Sequence, residues 1–199
     1  MRDDTRQQRQ QQIEQAAYEV LEEKGYAGTT MLAIARKARA SNETLYNWYG
    51  DKRKLFTALV ARNAREVEML LGERITAGGS PLETLALLGP RLLRLLTGTR
   101  AVALNRAAAA DASGELGAAL AQAGRETVAP LIGTVLERAR TAGLLVFDET
   151  AEATDLYVSL LVGDLQIRRV IGRMAEPDDA WCQTRAELAL ARLRRLLAP

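Results

Sequence analysis

Apolar side chains recur along most of the chain at intervals of three and four residues, with polar side chains between them. That spacing gathers the apolar residues on one face of an α-helix, whereas a half-buried strand would alternate every second residue. The first such stripe consists of Ile13, Ala16, Ala17, Val20 and Leu21. The pattern predicts an all-α protein with about nine helices.

Polar and glycine residues predict where the first helices begin and end. Gly25 follows the first stripe and predicts its end, because glycine adopts the left-handed conformation that often terminates helices. Thr30 and Ser41 predict the N-caps of two short helices, since a side-chain oxygen there accepts a free backbone N–H. Gly50 then stops the third helix, and Asp51 predicts the cap of a long fourth helix.

A second series of helices follows the break at residues 78–81. The pattern predicts a fifth helix marked by leucines between 85 and 95, and four more over 100–110, 115–140, 150–171 and 177–197. Pro90 and Pro130 fall inside these segments. Because proline removes a backbone hydrogen bond, we expect each to kink or interrupt its helix.

Composition excludes several kinds of chemistry. The 199 residues include no histidine, which removes histidine-based acid–base catalysis and His-bearing zinc sites. The one cysteine, Cys182, allows no internal disulfide and fits a reducing cytoplasm. No apolar run is long enough to span a membrane, and the N-terminus lacks an apolar signal core. We therefore expect a cytoplasmic protein that is not an enzyme and has neither a metal site nor a cofactor.

Charge alone is a weak guide to a partner. The net charge is +2, and residues 1–54 hold ten basic side chains against eight acidic ones. An imbalance of this size is weak evidence for nucleic-acid binding. Arg2, Arg6 and Arg9 near the N-terminus are expected to form a mobile basic arm.

Residues 29–56 predict a helix-turn-helix. Two short helices joined by a tight turn place the second helix in a DNA major groove. Ile34, Ala35, Ala38, Leu45 and Tyr49 would pack the pair against the first helix. The face left outward is polar and aromatic, which suits base edges and phosphates; it consists of Asn42, Glu43, Thr44, Tyr46, Asn47 and Trp48.

This segment resembles the DNA-binding signature of the TetR family of bacterial transcriptional regulators. The matching positions are Gly25-Tyr26, Thr29-Thr30, Ile34-Ala35, Ser41, Thr44-Leu45-Tyr46, Tyr49, Asp51-Lys52 and Leu55-Phe56. The turn departs from the family pattern, because Arg39 stands where glycine is usual. A non-glycine residue there costs of order 1 kcal/mol and adds a cation beside the expected phosphate backbone.

The resemblance implies which side chains contact DNA. Thr30, Tyr46 and Lys52 would bind phosphates, with Arg39 nearby, and base readout would come from the third helix. The full candidate set is Thr30, Arg39, Ser41, Asn42, Thr44, Tyr46, Asn47, Trp48 and Lys52. Simpler roles remain open for four of these residues. Thr30 and Ser41 would cap helices in any case, Tyr46 could pack on the protein surface, and Trp48 could pack over the core.

The larger remainder resembles the AefR-like branch of the same family. The resemblance lies in Arg91-Leu92-Leu93, Asn105-Arg106 before Asp111, Ala129-Pro130 and Leu161-Val162-Gly163-Asp164. It implies an effector pocket among the middle helices, with candidates Asn63, Val67, Leu92, Leu96, Asn105 and Pro130. It also implies a dimer interface on the last two long helices, with candidates Leu156, Leu160, Leu161, Gly163, Leu190, Leu193 and Leu197. These stripes could instead face only their own core, and Arg106 could bind an acidic ligand or pair with Asp111.

Together the patterns and the resemblance predict two domains and one function. Residues 1–51 would form the DNA-binding domain, with the helix-turn-helix at about 30–49, and residues 52–199 the effector-binding and dimerisation domain. The expected function is a repressor that binds a near-palindromic operator as a homodimer and is released by a small lipophilic effector. Two alternatives are an all-α enzyme or lipid-binding protein that retains a helix-turn-helix, and a nonspecific architectural DNA-binding protein.

Overall fold

The computed structural model describes residues 2–199 and confirms the all-α prediction, since every regular element within that range is helical. The helices are α1 (Arg2–Gly28), α2 (Met31–Lys37), α3 (Asn42–Tyr49), α4 (Lys52–Thr76), α5 (Pro81–Thr97), α6 (Thr99–Ala109), α7 (Glu115–Leu120), α8 (Glu126–Thr141), α9 (Thr150–Val162), α10 (Leu165–Val170) and α11 (Asp179–Leu196). A π-helical segment, Ala121–Arg125, connects α7 to α8. The chain divides into two compact units, which are described separately.

The first unit comprises residues 1–62 and 103–121. It therefore contains the three N-terminal helices, the first part of α4, and a later segment that carries α7. Its core is formed by the apolar stripes of α1 to α4, including Ile13, Val20, Ile34, Leu45 and Phe56. The Tyr18 hydroxyl donates a buried hydrogen bond of 2.8 Å to the Leu59 carbonyl, which fixes α1 against α4. The unit thus extends beyond the segment predicted as the DNA-binding domain, whose boundary stays a prediction.

The second unit comprises residues 63–102 and 122–199. Helix α5 packs against α11, and both contact α9. The helices approach closely at Gly89, where an added Cβ would lie 2.7 Å from the Cβ of Ala186. Beside this point the buried Tyr157 hydroxyl donates 3.1 Å to the Leu85 carbonyl. Burial raises the pKa of Tyr157, so its phenol remains protonated and serves as a core hydrogen-bond donor.

One helix prediction needs correction. The predicted helix over 150–171 is broken at Gly163, whose φ of 50° and ψ of −126° are not helical. Arg185 donates hydrogen bonds of 3.0 and 2.9 Å to the carbonyls of Leu161 and Leu160, which satisfies the end of α9. The predicted helix over 115–140 is confirmed, since residues 115–141 are helical without a break and the π-helical segment lies within them. Pro90 and Pro130 lie inside α5 and α8 without ending either helix.

Candidate nucleic-acid interface

The two short helices begin at the predicted caps. The Thr30 hydroxyl accepts the backbone N–H of Ala33 at 3.1 Å. The Ser41 hydroxyl accepts the N–H of Thr44 at 3.0 Å and lies 2.7 Å from the Thr44 hydroxyl. Asp51 likewise accepts the N–H of Lys54 at 2.8 Å, at the start of α4. Since each cap satisfies a backbone donor that would otherwise be free, the starts of α2, α3 and α4 are fixed locally.

The turn between α2 and α3 is left-handed at Arg39. Its φ is 51°, and no other non-glycine residue among residues 2–199 has a positive φ. The guanidinium of Arg9 supports the turn by donating to the carbonyls of Ala38, at 3.2 Å, and Arg39. The expectation of a mobile arm is therefore wrong for Arg9, which lies in α1 and contacts the turn. Sequence inspection gives no signal for this contact, because the partners are about 30 residues apart.

Arg6 and Arg2 were also expected to belong to a mobile basic arm. The Arg6 guanidinium lies 5.8 Å from the ring centroid of Trp48 on α3, a distance at which a cation is attracted to an aromatic face. Arg6 therefore also contacts the folded unit rather than extending from it. Arg2 starts α1, and its side chain lies outside the part of the chain whose side chains the structure describes.

Helix α3 has one buried face and one exposed polar face. Leu45 and Tyr49 are buried, and burial raises the pKa of the Tyr49 phenol, which stays protonated. The exposed residues are Ser41, Asn42, Glu43, Tyr46 and Asn47, while Thr44 and Trp48 are half-buried. Thr30 and Arg39 are exposed beside them. Most of the candidate DNA contacts in this unit are therefore accessible.

A buried polar cluster joins α1 to α4, and the sequence patterns did not identify it. The Glu14 carboxylate is only 4% exposed. It accepts 3.0 Å from the Gln10 amide and lies 3.5 Å from the Arg62 guanidinium. A buried carboxylate requires such partners, since leaving it unpaired is strongly destabilising. Glu14 therefore ties α1 to α4 through charge as well as through apolar packing.

Lys52 is held against Tyr26 at the start of α4. Its ammonium donates 3.0 Å to the Tyr26 carbonyl and lies 4.1 Å from the centre of that ring. The ring in turn packs edge-to-face on Phe56, with centroids 5.8 Å apart. Burial raises the pKa of the Tyr26 phenol, and the nearby Asp111 carboxylate raises it further. The Lys52 charge is therefore positioned before any partner binds.

The candidate effector residues divide between the two units. Val67 and Leu92 are buried in the core of the second unit, and Leu96 packs against that core. Asn63 is half-buried in the same unit, whereas Pro130 is exposed. Asn105 belongs to the first unit. The structure thus brings Val67, Leu92 and Leu96 together around one core and leaves Pro130 on the surface.

The candidate dimer residues differ in accessibility. Leu161 and Leu193 are fully buried in the core of the second unit. Leu156, Leu160, Leu190 and Leu197 are half-buried and pack against the same core, and Gly163 is exposed. Leu188 and Trp181, which the sequence patterns did not single out, expose large apolar surfaces on α11. Leu161 and Leu193 are therefore not accessible to a partner, whereas the other five candidates are at least partly so.

Two further observations concern metals and membranes. Across the described residues, no three metal-binding side chains gather closely enough to hold an ion. In the same part of the chain, no helix combines the length and apolar character needed to cross a bilayer.

A capped helix-turn-helix with an exposed polar second helix defines a class, the helix-turn-helix DNA-binding proteins. The comparisons with known proteins give the family. Residues 13–59 match the bacterial regulatory proteins of the tetR family, and residues 83–192 match the C-terminal domain of the AefR-like transcriptional repressors. The chain belongs to the TetR family of bacterial transcriptional regulators, with an AefR-like C-terminal domain. This is a family of regulators and not of enzymes.

Solved structures agree with this assignment. A TetR-family regulator from Mesorhizobium loti is similar with a TM-score of 0.77 at 23% identity, over 95% of this chain and 96% of that one. A TetR regulator from Agrobacterium tumefaciens gives 0.73 at 29% identity, over 95% and 94%. FadR from Bacillus subtilis, solved in complex with stearoyl-CoA, gives 0.73 at 18% identity, over 91% and 97%. No curated protein sequence matches the chain.

Proposed function

We propose that this regulator is a cytoplasmic repressor that binds a near-palindromic operator as a homodimer and leaves it when a small lipophilic effector binds. The observation that carries the proposal is the exposed polar face of α3, presented by a helix whose opposite face is buried in the first unit. A rigidly seated helix of this kind offers hydrogen-bonding side chains to base edges without having to fold on binding.

Base readout is assigned to the exposed residues of α3. Asn42 and Asn47 carry amides that pair with adenine in the major groove, and Glu43 accepts a hydrogen bond from cytosine N4. The hydroxyls of Ser41 and Thr44 are in contact, so they present their hydrogen-bonding groups to the same part of the duplex. Trp48, half-buried and beside Arg6, supplies an apolar edge at the end of the helix.

Phosphate binding is assigned to the residues around α3. Thr30 lies at the N-terminus of α2 and Lys52 at the N-terminus of α4, where the helix dipoles favour an anion. Tyr46 is 49% exposed, so its hydroxyl is accessible to a phosphate oxygen. Arg39 projects from the turn. These contacts set the register of the protein on the duplex, and they carry no sequence information.

The homodimer is proposed to form through α9 and α11. The accessible candidates are Leu156, Leu160, Gly163, Leu190 and Leu197, to which we add Leu188 on α11. A twofold dimer would place its two α3 helices in successive major grooves about 34–36 Å apart, so the operator would be a near-palindrome. Sedimentation of the purified chain tests the dimer directly, and Leu188→Glu is expected to shift it toward monomer.

The effector is proposed to be lipophilic. The core that contains Val67, Leu92 and Leu96 is aliphatic, and a cavity opened within it would favour a ligand of low polarity. The structurally similar FadR proteins from Bacillus subtilis and Thermus thermophilus were solved with stearoyl-CoA and lauroyl-CoA. An effector acts only through a difference in affinity between the free and the DNA-bound states. A ligand of the right class should therefore release the labelled duplex.

The phosphate contacts are tested by salt titration. With a labelled duplex, Tyr46→Phe and Lys52→Ala should each weaken binding alike for all sequences. Lys52→Ala, which removes a charge, should also lower the salt slope by roughly one unit. Thr57→Ala, an exchange on the same helix outside the proposed interface, is the control. An unchanged slope for Lys52→Ala, or unchanged affinity for Tyr46→Phe, would show that the assigned phosphate contact is wrong.

A further inference from the structure

Arg53 forms an ion pair at the edge of the proposed DNA interface. Its guanidinium donates 2.7 Å to the carboxylate of Glu115, the first residue of α7. The two residues are 62 positions apart in the chain, but both belong to the first unit. Arg53 directly follows Lys52, which the proposed function assigns to phosphate binding.

The pair is accessible and therefore easily exchanged. The side chains of Arg53 and Glu115 are 54% and 59% exposed. Exposed ion pairs contribute little to stability because water and salt screen them. A guanidinium also binds phosphate through the same two-pronged geometry with which it binds a carboxylate. A phosphate of the duplex can thus replace Glu115 as the partner of Arg53 at small cost.

The backbone of Glu115 is fixed at the start of α7. Asp111 accepts the backbone N–H of Leu116 at 2.9 Å and the Ser113 hydroxyl at 2.8 Å. The Ser113 hydroxyl in turn accepts the N–H of Glu115 at 3.2 Å. These bonds fix the first turn of α7, so Glu115 is presented to Arg53 by an ordered segment.

We propose that Arg53 is a further phosphate-binding residue and that Glu115 competes with DNA for it. The inference rests on the proposed function, since it places the start of α4 beside the duplex. Glu115 then lowers DNA affinity, because a phosphate that binds Arg53 must first displace this carboxylate.

A double-mutant cycle tests the competition in the full-length protein. The probe is a short labelled duplex of mixed sequence, because a phosphate contact does not depend on base sequence. E115Q should tighten binding about two- to five-fold, the range set by an exposed ion pair. R53Q should weaken binding and lower the salt slope by roughly one unit. In the R53Q background, E115Q should bring no further gain.

The matched control is Glu83→Gln, which removes the same charge from another exposed ion pair, with Arg74 in the second unit. It should leave duplex affinity unchanged. An equal gain from E115Q with and without Arg53 would overturn the proposal, as would an equal gain from Glu83→Gln, because net charge would then explain both. A wild-type protein that binds no duplex would instead refute the proposed function, so the two failures are distinguishable.

Discussion

Replacing Arg39 by glycine should make the protein more stable while it weakens DNA binding. Arg39 has a φ of 51°, a left-handed conformation that costs a side-chain-bearing residue roughly 1–2 kcal/mol. Glycine removes this strain. It also gives the unfolded chain more conformational freedom, which reduces the gain in stability by about 0.4–1 kcal/mol. The Arg9 hydrogen bonds end on backbone carbonyls and survive the substitution. The net gain should therefore be about 1 kcal/mol, a rise of roughly 2–4 °C in Tm for a chain of this size.

Thermal and urea denaturation of Arg39→Gly and Arg39→Ala provide the assay. Alanine also lacks the guanidinium but keeps the strained backbone, so it should show no comparable gain in stability. Both variants should lose the proposed phosphate contact and lower the salt slope of duplex binding by roughly one unit. If glycine stabilised the protein no more than alanine does, the turn would not be strained and the argument from φ would be refuted.

Three further predictions concern recognition, packing and acid stability. Asn47→Ala should reduce the discrimination between bases at one step by about 1–3 kcal/mol of binding free energy, measured on duplexes that differ at single positions. Equal weakening on all of these duplexes would argue against base readout. Gly89→Ala should cost about 1–3 kcal/mol of unfolding free energy through overlap with Ala186, whereas Gly72→Ala, which meets open space, should not. Hydrogen bonds from the Leu116 N–H and Ser113 lower the pKa of Asp111 below 3.8. The ionised Asp111 carboxylate should therefore stabilise the fold fully above pH 3.8, and this stabilisation should be lost as the pH falls through the lower native pKa. In melting curves recorded over this pH range, Asp111→Asn should lack the corresponding loss of stability.

The caps and the strained turn were predictable because they depend on local chemistry. Ser41 and Thr30 bond to donors three residues away, so the sequence contains both partners of each contact. The left-handed residue at position 39 followed from an arginine standing where the family has glycine. The apolar stripes likewise predicted the helical faces that form the two cores.

The errors arose where distant contacts decide the structure. Arg9 reaches the turn across about 30 residues, and Arg53 reaches Glu115 across 62, so no local pattern contains both partners. The break at Gly163 was missed because the apolar period continues through it, and the Arg185 contacts that satisfy the helix end come from α11. Pro90 and Pro130 were expected to kink or interrupt their helices, and neither helix ends at its proline.

The base-reading role of α3 is tested most directly by selecting bound duplexes from a randomised pool with the full-length protein. We predict enrichment of an inverted repeat whose half-sites are centred about 10 base pairs apart. With Asn47→Ala in place of the wild type, the preference at one base step of each half-site should be lost. Recovery of duplexes without any common sequence, or of a site unchanged by every substitution on the exposed face of α3, would contradict it.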